Sequence, residues 1–422
     1  MWYFCERSAS MRTSRTDQIM SQNLNSPLGL PPPHVKAFLI HAAQHSPHYR
    51  EQDWAKNLLA GLPTRLQDIP VTTKSVVQRN PQSFRSDYDP PQAGPIHIKY
   101  TSGSTGTPLE IAKSSSHVFV NQQENERLLG PWKIAEHVVA VLNMPLERGK
   151  VSGEIERTST AAANGQLTIY TNSVEELTSL VLAKRPSYVL MRPSMAIAML
   201  KETVDFSFLQ LVHTTFETAG PELAPLVERL GNCRHIDAYG AVETGLIGVT
   251  CQVCGNYHLA ERSCLFEVLD DSWRSATEGE TGNLVVTVFT NPAMPLVRYD
   301  LGDLVKVTYA SPCAPGRLAF TSVLGRERMM FIAENGQRIW PVLQASSVME
   351  LGIRRFKMVQ ISARDVEFRY ETFSPGHLVE QELLQHLVDS EMAPLFKIIP
   401  KPTKDFPSTP SGKYLIHERL VQ

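Results

Sequence analysis

The chain has 422 residues, of which 42% are hydrophobic and 20% charged, so two or more domains with sizeable cores are expected. A formal net charge of −2 gives no electrostatic basis for binding nucleic acid or an anionic membrane surface. No apolar run approaches the length of a membrane span, and six cysteines in a chain of this length do not suggest a disulfide framework. We therefore expect a soluble protein of the reducing cytoplasm that binds neither nucleic acid nor membranes.

The first segment, residues 1–33, is polar and ends in three consecutive prolines. It has no compact apolar segment of the kind found in secretory signals. We expect a flexible tail here, with Met11 and Met20 as alternative start positions.

A hydroxyl-rich loop follows the first short strand. Residues 96–100 alternate in the manner of a strand, and residues 100–108 then read Tyr-Thr-Ser-Gly-Ser-Thr-Gly-Thr-Pro. Glycines permit tight turns, and successive amide and hydroxyl groups can converge on phosphate oxygens. The loop lacks the Gly-Lys-Ser/Thr ending of a Walker-type loop, and a solvated turn is the alternative interpretation.

Strands and helices alternate through the middle of the chain. Apolar runs at residues 138–142 and 188–191 predict buried strands, and residues 174–183 and 222–230 predict helices. Strands separated by helices indicate an α/β architecture with a substantial parallel sheet.

The pattern changes to shorter β segments from residue 282 onward. Strands are predicted at residues 284–289, 304–309, 317–323, 359–362 and 366–370, and a helix at residues 378–390. We place a domain boundary near residues 325–328. A loop rich in Pro, Ser and Thr closes the chain at residues 400–412.

Four further polar segments accompany the loop. Residues 237–244 carry Glu243 three positions after a glycine, residues 298–304 hold an arginine and two aspartates, residues 324–326 read Leu-Gly-Arg, and residues 410–413 read Pro-Ser-Gly-Lys. Each segment is weak evidence alone, but their order along the chain is specific.

In this order, the five motifs resemble those of the adenylate-forming (acyl-activating) superfamily, over about residues 74–413. The chain is most similar to the phenylacetate-CoA ligase branch, because it has the N-terminal motif Ile-Pro-Val-Thr-Thr-Lys at residues 69–74 and a Cys-rich insertion after Glu243. The resemblance implies a large N-terminal α/β domain of several subdomains, one of them β-rich, at residues 34–325. A small mobile α+β C-terminal domain at residues 326–422 would follow.

The implied activity is ATP-dependent activation of a carboxylic acid through an acyl-AMP intermediate, with release of pyrophosphate. Transfer of the acyl group to coenzyme A would follow, and transfer to an amine or to the thiol of a separate carrier protein is the alternative. A non-catalytic nucleotide-binding protein, possessing the fold without the activity, is a hypothesis of another class. Relatives also make a homodimer an expectation.

The resemblance assigns roles to individual residues. Lys413 would neutralise charge in the transition state, Glu243 would coordinate Mg²⁺, Asp303 would bind the ribose with Arg326 nearby, and Arg328 would be the hinge. The phosphate loop would comprise Thr101, Ser102, Gly103, Ser104, Thr105, Gly106 and Thr107. The walls around adenine would comprise Gly220, Pro221, Glu222, Asp237, Ala238, Tyr239 and Gly240, with Tyr239 stacking on the base.

Each of these residues also has a purely structural interpretation. Glu243 could be a carboxylate at a helix start, Asp303 could close a turn through side-chain to backbone bonds, and Lys413 could be a solvated lysine. Two positions depart from the family pattern: Leu109 replaces a common lysine, and Glu327 is followed by Arg328 where many relatives have an acidic pair.

A cluster of metal-binding residue types follows Glu243. Cys251, Cys254 and His258 have the spacing C-x₂-C-x₃-H, which suits three ligands of a tetrahedral Zn²⁺. The fourth ligand would be Cys313 or the nearer Cys264, and relatives favour Cys313. We expect a structural zinc site, against the alternative of reduced, semi-buried cysteines.

The acyl pocket is predicted only by analogy with relatives. The candidates are Phe119, Asn121, Met144, Pro145, Phe216 and Ala219, with Trp132 and Met191 as further candidates. Aromatic and methionine side chains suit a flat aryl or arylacetic acid, although such residues also occur in ordinary cores.

Overall fold

The structure is a computed structural model. It describes residues 29–88, 90–101, 109–130, 139–143, 154–158, 166–170, 174–217, 223–326, 330–339, 341, 343, 345–374, 376–392, 394–406 and 417–421.

The secondary structure elements are numbered here in chain order. The α-helices are α1 (Pro33–His45), α2 (Pro47–Arg50), α3 (Asp53–Leu59), α4 (Lys74–Arg79), α5 (Pro81–Phe84), α6 (Ser115–Leu129), α7 (Val174–Lys184), α8 (Pro193–Leu200), α9 (Leu223–Glu228), α10 (Ala345–Glu350) and α11 (Gln381–Glu391). The strands are β1 (Ile96–Tyr100), β2 (Glu110–Ser114), β3 (Val139–Asn143), β4 (Glu154–Thr158), β5 (Gln166–Tyr170), β6 (Tyr188–Met191), β7 (Leu211–Thr215), β8 (Arg234–Ala241), β9 (Gly245–Thr250), β10 (Tyr257–Leu259), β11 (Leu265–Leu269), β12 (Thr281–Thr287), β13 (Tyr299–Thr308), β14 (Ala319–Arg326), β15 (Phe331–Ile332), β16 (Arg338–Ile339), β17 (Ile353–Gln360), β18 (Asp365–Thr372), β19 (Lys397–Pro402) and β20 (His417–Arg419).

One twelve-stranded sheet dominates the described part of the chain, in the order β11-β12-β13-β14-β10-β9-β8-β7-β6-β3-β5-β4. Strands β5, β3, β6, β7 and β8 pair in parallel, whereas β8 pairs antiparallel with β9 and the remaining strands beyond it are also antiparallel. The predicted α/β class is confirmed. The sequence had indicated the two β patterns but not that they form one continuous sheet.

The parallel half is built from short apolar strands between helices. β6 occupies the predicted residues, and the helix predicted at residues 222–230 is the shorter α9. Val181, Met199 and Val227 from α7, α8 and α9 contribute to one hydrophobic cluster on this half. Parallel strands are covered by their crossover helices, which explains why β6 is apolar along its whole length.

The antiparallel half packs against α1. The buried residues of α1 follow helical spacing and comprise Val35, Phe38, Leu39, Ala42 and Ala43. They share a hydrophobic cluster with Val286 of β12 and Val305 of β13. Each fully buried Leu or Phe side chain contributes roughly 1.5–3 kcal/mol, so this stripe anchors α1 to the sheet.

The hydroxyl-rich loop connects the two strands of a hairpin. β1 and β2 are antiparallel, and Tyr100 pairs with Glu110. The Thr101 N–H donates to the Leu109 carbonyl over 2.9 Å, and the Leu109 N–H donates to Thr101 Oγ1 over 2.8 Å. The sequence predicted the strand before the loop but not the returning strand, whose residues include the buried Lys113.

The C-terminal residues form a second sheet, in the order β19-β18-β17-β20. Phe356, Phe368 and Ile398 belong to a hydrophobic cluster of their own, which begins at Phe331. The domain limits at residues 33 and 325 remain predictions. Among the helices of the described residues, none combines the length and the apolar character needed to cross a membrane.

Candidate active site

Glu243 lies in a tight turn between β8 and β9, not at a helix start. Two glycines make this turn possible. Gly245 has φ +85°, which favours glycine, and a Cβ on Gly240 would lie 2.7 Å from the Gly245 carbonyl oxygen. The turn therefore places Glu243 between the last strand of the parallel half, β8, and the first antiparallel strand, β9.

The Glu243 carboxylate is buried, with 4% of the residue exposed. Lys74 Nζ lies 3.3 Å from Glu243 Oε1, and the Tyr299 hydroxyl donates to the same oxygen over 3.3 Å. Both contacts from the described residues thus use one carboxylate oxygen, and Lys74 supplies the compensating charge.

Sequence reasoning missed Lys74 as a site residue. It had served only as the last residue of an N-terminal motif. The contact arises because Thr72 pairs alongside β13: its N–H donates to the Arg298 carbonyl over 2.8 Å, and its carbonyl accepts from Asp300 N–H over 2.9 Å. This pairing places the start of α4 beside Tyr299, a proximity that no local pattern could predict.

Lys113 is a second cation that sequence reasoning missed. It lies on β2, just after the phosphate loop, and is 9% exposed. Burial lowers the pKa of Lys113 to about 8, while the negative charge of Glu243 acts in the opposite direction. The signal in the sequence was a lysine on the strand just after the loop, and sequence reasoning did not use it.

Tyr239 and Asp303, two residues of the predicted nucleotide site, contact each other. The Tyr239 hydroxyl donates to Asp303 Oδ2 over 2.6 Å, and Asp303 is 7% exposed. Asp303 also faces Arg326 across β13 and β14. The turn-closing bond considered for Asp303 is made instead by Asp300, whose Oδ1 accepts from Gly302 N–H over 2.8 Å.

The Asp237 carboxylate contacts residues of two other strands of the sheet, β7 and β10. Its two oxygens accept hydrogen bonds of 2.6 Å from the hydroxyls of Thr214 and Tyr257. Burial raises the pKa of Asp237, and these two hydrogen bonds act against the rise. The neighbouring Ala238 is buried as well. Both Asp237 oxygens are thus engaged within the protein.

Arg298, from the same motif as Asp303, has a scaffold role. Its Nε and Nη2 donate to the two Glu267 carboxylate oxygens over 3.0 and 2.9 Å, and its Nη1 donates to the Ile69 carbonyl over 2.6 Å. The bidentate pair is the strong form of arginine–carboxylate contact. Arg298 therefore fastens residue 69 to the sheet.

Of the candidate acyl-pocket residues, the structure describes Phe119, Asn121, Phe216 and Met191. Asn121 Oδ1 accepts from Leu246 N–H over 3.1 Å and Nδ2 donates to the Thr244 carbonyl over 3.2 Å, so this amide secures the Glu243 turn. Phe119 and Phe216 are each 59% exposed, and Phe216 has φ 75°, which is strained for a bulky residue. Met191 is part of a hydrophobic core.

Several predicted site residues lie outside the described part of the chain. They are Ser102, Gly103, Ser104, Thr105, Gly106, Thr107, Trp132, Met144, Pro145, Ala219, Gly220, Pro221, Glu222, Arg328 and Lys413, together with the side chain of Arg326.

The predicted metal ligands converge. Four possible ligand atoms lie within 4.8 Å of one another, one each from Cys251, Cys254, His258 and Cys313. Two sulfur ligands about 2.3 Å from a tetrahedral zinc ion would be about 3.8 Å apart. Cys251 Sγ and Cys313 Sγ are 3.8 Å apart, and Cys254 Sγ lies 3.4 Å from His258 Nε2. The spacing fits zinc.

The loop around these ligands, residues 250–258, is called the cysteine knuckle below. The Val253 N–H donates to Cys251 Sγ over 3.4 Å, a contact that favours a thiolate. Cys264 does not reach the cluster. It is 1% exposed, and burial raises its pKa to about 12. Of the two candidates for the fourth ligand, Cys313 is the residue that the fold brings to this place.

Comparisons with known proteins agree with the motif assignment. No family model matches the chain. A phenylacetate-coenzyme A ligase from Thermus thermophilus is 40% identical over 86 residues, a segment that spans 20% of this chain and only 19% of that enzyme. Among solved structures, 2-hydroxyisobutyryl-CoA ligase in the postadenylation state with R3-HIB-AMP has a TM-score of 0.66 at 17% identity, covering 89% of this chain and 86% of that one.

A third similar protein is the amide bond synthetase McbA from Marinactinospora thermotolerans. Its TM-score is 0.57 at 17% identity, with 92% of this chain and 82% of that one covered. The resemblance predicted from the motifs is thereby confirmed. The chain has the fold of the adenylate-forming CoA ligases and amide synthetases and shares a segment of sequence with phenylacetate-CoA ligase.

Proposed function

We propose that this protein is an ATP-dependent ligase that converts a carboxylic acid to its acyl-adenylate and then to a coenzyme A thioester. The observation that carries the proposal is the grouping of Glu243, Lys74 and Tyr299, together with the hydrogen bond that Tyr239 of β8 makes to Asp303 of β13. A buried carboxylate flanked by a cation suits a metal-bound polyphosphate.

In the first half-reaction, a carboxylate oxygen of the acid attacks the α-phosphorus of ATP. A bond forms between that oxygen and phosphorus, and the bond to the β-phosphate oxygen breaks, releasing pyrophosphate. Positioning and charge neutralisation carry most of this step. Lys74 and the buried Lys113 would supply positive charge near the phosphates, and Lys413 would approach the α-phosphate oxygens in the transition state.

Glu243 would hold Mg²⁺ through its carboxylate, since hard cations prefer oxygen ligands. When bound, the ion would neutralise phosphate charge. The Tyr299 hydroxyl orients the carboxylate, and Asn121 holds the turn that carries it. Thr101 stabilises the base of the phosphate loop through its bonds with Leu109.

Asp303 would accept hydrogen bonds from the ribose hydroxyls, and the 2.6 Å bond from Tyr239 orients its carboxylate. The Tyr239 ring would stack on adenine, between walls formed by residues 220–222 and 237–240. Rotation of residues 326–422 about Arg328 would then bring coenzyme A to the adenylate. Its thiolate would attack the acyl carbonyl, and AMP would leave.

The cysteine knuckle and Cys313 would hold a structural Zn²⁺. Three thiolates and an imidazole fill a tetrahedron, which leaves no position for a substrate. The ion would tie Cys313, between β13 and β14, to the segment between β9 and β10.

The substrate is proposed to be an aryl or arylacetic acid, on the strength of the sequence similarity to phenylacetate-CoA ligase. The decisive experiment is acid-dependent exchange of pyrophosphate into ATP across a panel of aryl acids, followed by thioester formation with coenzyme A. Exchange with at least one acid is expected. Absence of exchange with every acid, in protein that binds ATP, would favour the non-catalytic alternative.

Amide synthesis is the second candidate function, because the fold of McbA covers 92% of this chain. The same assay distinguishes it: thioester formation supports the ligase, whereas acyl transfer to amines with none to coenzyme A supports an amide synthetase. Transfer to a separate carrier protein, a homodimer and a cytoplasmic location remain predictions.

A further inference from the structure

The cysteine knuckle is hydrogen-bonded to β8 at several points. Thr250, beside Cys251, accepts through Oγ1 the Asp237 N–H over 2.7 Å. The Tyr257 hydroxyl, one residue before His258, donates to Asp237 Oδ2 over 2.6 Å. Gln252, between the two cysteines, donates from Nε2 to the His235 carbonyl. Three residues adjacent in sequence to metal ligands therefore contact two residues of one strand.

The same strand carries the nucleotide-facing side chain. Residues two apart on a strand point to the same face of the sheet, so Asp237 and Tyr239 are neighbours on one face. Tyr239 in turn donates to Asp303. Two hydrogen bonds and one pair of strand neighbours thus lead from the cysteine knuckle through Tyr257, Asp237 and Tyr239 to Asp303, which would bind ribose.

The hydrogen bond between Tyr257 and Asp237 is well suited to couple the position of the cysteine knuckle to that of β8. Tyr257 is half-buried by area, and burial together with the Asp237 carboxylate raises the pKa of its hydroxyl. Hydrogen bonds to charged groups are about twice as strong as neutral ones. Thr214 engages the other Asp237 oxygen, so the carboxylate has one orientation only while both donors are in place.

We propose that Tyr257 is a positioning residue through which metal binding at the cysteine knuckle sets the affinity of the nucleotide site. This inference rests on the proposed function and deepens it. With the metal bound, the knuckle holds Tyr257 against Asp237 and the strand presents Tyr239 and Asp303 for nucleotide. Without the metal, the knuckle loosens, the Tyr257–Asp237 bond is lost, and nucleotide binds more weakly.

The test combines one substitution with metal removal. Tyr257→Phe deletes the hydroxyl and keeps the ring. Tyr188→Phe is the matched control, since it removes a buried tyrosine hydroxyl that contacts His213 in the same sheet. AMP is the probe, because its binding does not depend on Mg²⁺, and its Kd is measured by calorimetry before and after treatment with a zinc-selective chelator.

We expect chelation to raise the AMP Kd of the wild type about fivefold or more, the lower range of site-to-site coupling. Tyr257→Phe should retain its zinc, show a similarly raised Kd, and respond little to chelation. Tyr188→Phe should bind AMP as the wild type does and retain the full response to chelation. Hydrogen exchange of the amides of residues 235–239 should rise on chelation in the wild type.

Three outcomes would overturn the inference. One is an AMP Kd of the wild type that does not change when the metal is removed. Another is an unchanged Kd in Tyr257→Phe, and the third is an effect of chelation equal in the wild type and Tyr257→Phe. If the wild type binds no AMP at all, the proposed function fails together with the inference. AMP binding that is normal but independent of the metal defeats the inference alone.

Discussion

Two carboxylates lie near opposite ends of the segment formed by residues 69–74, and they are held in contrasting ways. The Arg298 Nε and Nη2 atoms donate to the two Glu267 carboxylate oxygens over 3.0 and 2.9 Å. The third nitrogen, Nη1, donates to the Ile69 carbonyl. Glu243 receives two contacts of 3.3 Å on one oxygen, from Lys74 and Tyr299. The two pairs are similarly buried, but the Glu267 pair has a donor on each oxygen, whereas both Glu243 contacts fall on Oε1.

The difference separates scaffold from site. A bidentate pair places a donor on each carboxylate oxygen and so holds the chain in place. Longer contacts at a single oxygen balance a buried charge while leaving the carboxylate able to bind a cation. The comparison therefore predicts that variants of the first pair act on stability and variants of the second act on catalysis.

The largest expected effect is on stability. Arg298→Met should lower the free energy of unfolding by about 3–5 kcal/mol, because it leaves the Glu267 carboxylate partly buried without its partner. The measurement is chemical denaturation. Arg274→Met is the matched control: Arg274 lies 2.9 Å from Asp270, but its side chain is 78% exposed, so a loss below about 1 kcal/mol is expected. Equal losses in the two variants would contradict the scaffold role.

Glu243→Gln should abolish most activity with little loss of stability. The amide keeps the shape of the side chain and one acceptor oxygen but removes the charge that would hold Mg²⁺. Acid-dependent pyrophosphate exchange is expected to fall about a hundredfold or more. Glu334→Gln, at an exposed carboxylate paired with Arg364, should exchange at the wild-type rate. A Glu243→Gln protein within fivefold of the wild type would remove Glu243 from the metal site.

Lys74→Met should produce a smaller catalytic defect, about tenfold in exchange and accompanied by a higher KM for ATP, because a cation near the phosphates is lost. Lys74→Arg retains the charge and should recover part of the rate. If both variants kept the wild-type rate while losing stability, Lys74 would belong with Arg298 in the scaffold.

The smallest effect concerns pH. His117 is fully buried, its ring lies 2.8 Å from Thr290 Oγ1, and burial lowers its pKa to about 3. Unfolded histidine has a pKa near 6.5, so between about pH 6.5 and 3 the unfolded chain binds a proton that the folded chain does not. Stability should therefore fall as the pH falls through this window, by up to about 1.4 kcal/mol per unit for this residue.

His117→Gln removes that contribution. The free energy of unfolding, followed by denaturation from pH 7 to 5, should depend less steeply on pH than in the wild type, whatever the absolute stability of the variant. An unchanged slope would show that His117 is already protonated in the native protein.

Much of this arrangement was accessible from local patterns. The loop at residues 100–108, Glu243, Asp303 and the C-x₂-C-x₃-H spacing were identified because each depends on residues close in sequence. The strand β6 and the helices α7 and α11 follow from apolar periodicity, and their observed bounds differ from prediction by only a few residues. Arg298 stands in the same sequence motif as Asp303, but its side chain contacts Glu267.

The sequence by itself determined the elements, the order of the motifs and the chemical types at each position, because hydrophobic periodicity and turn chemistry act over a few residues. Only the tertiary structure decided which side chains distant in sequence contact each other. Lys74 reaches Glu243 across 169 positions, Tyr239 reaches Asp303 across 64, and Cys251 reaches Cys313 across 62. These pairings depend on strand order and register in one twelve-stranded sheet, and register is a property of packing that no short window of sequence contains.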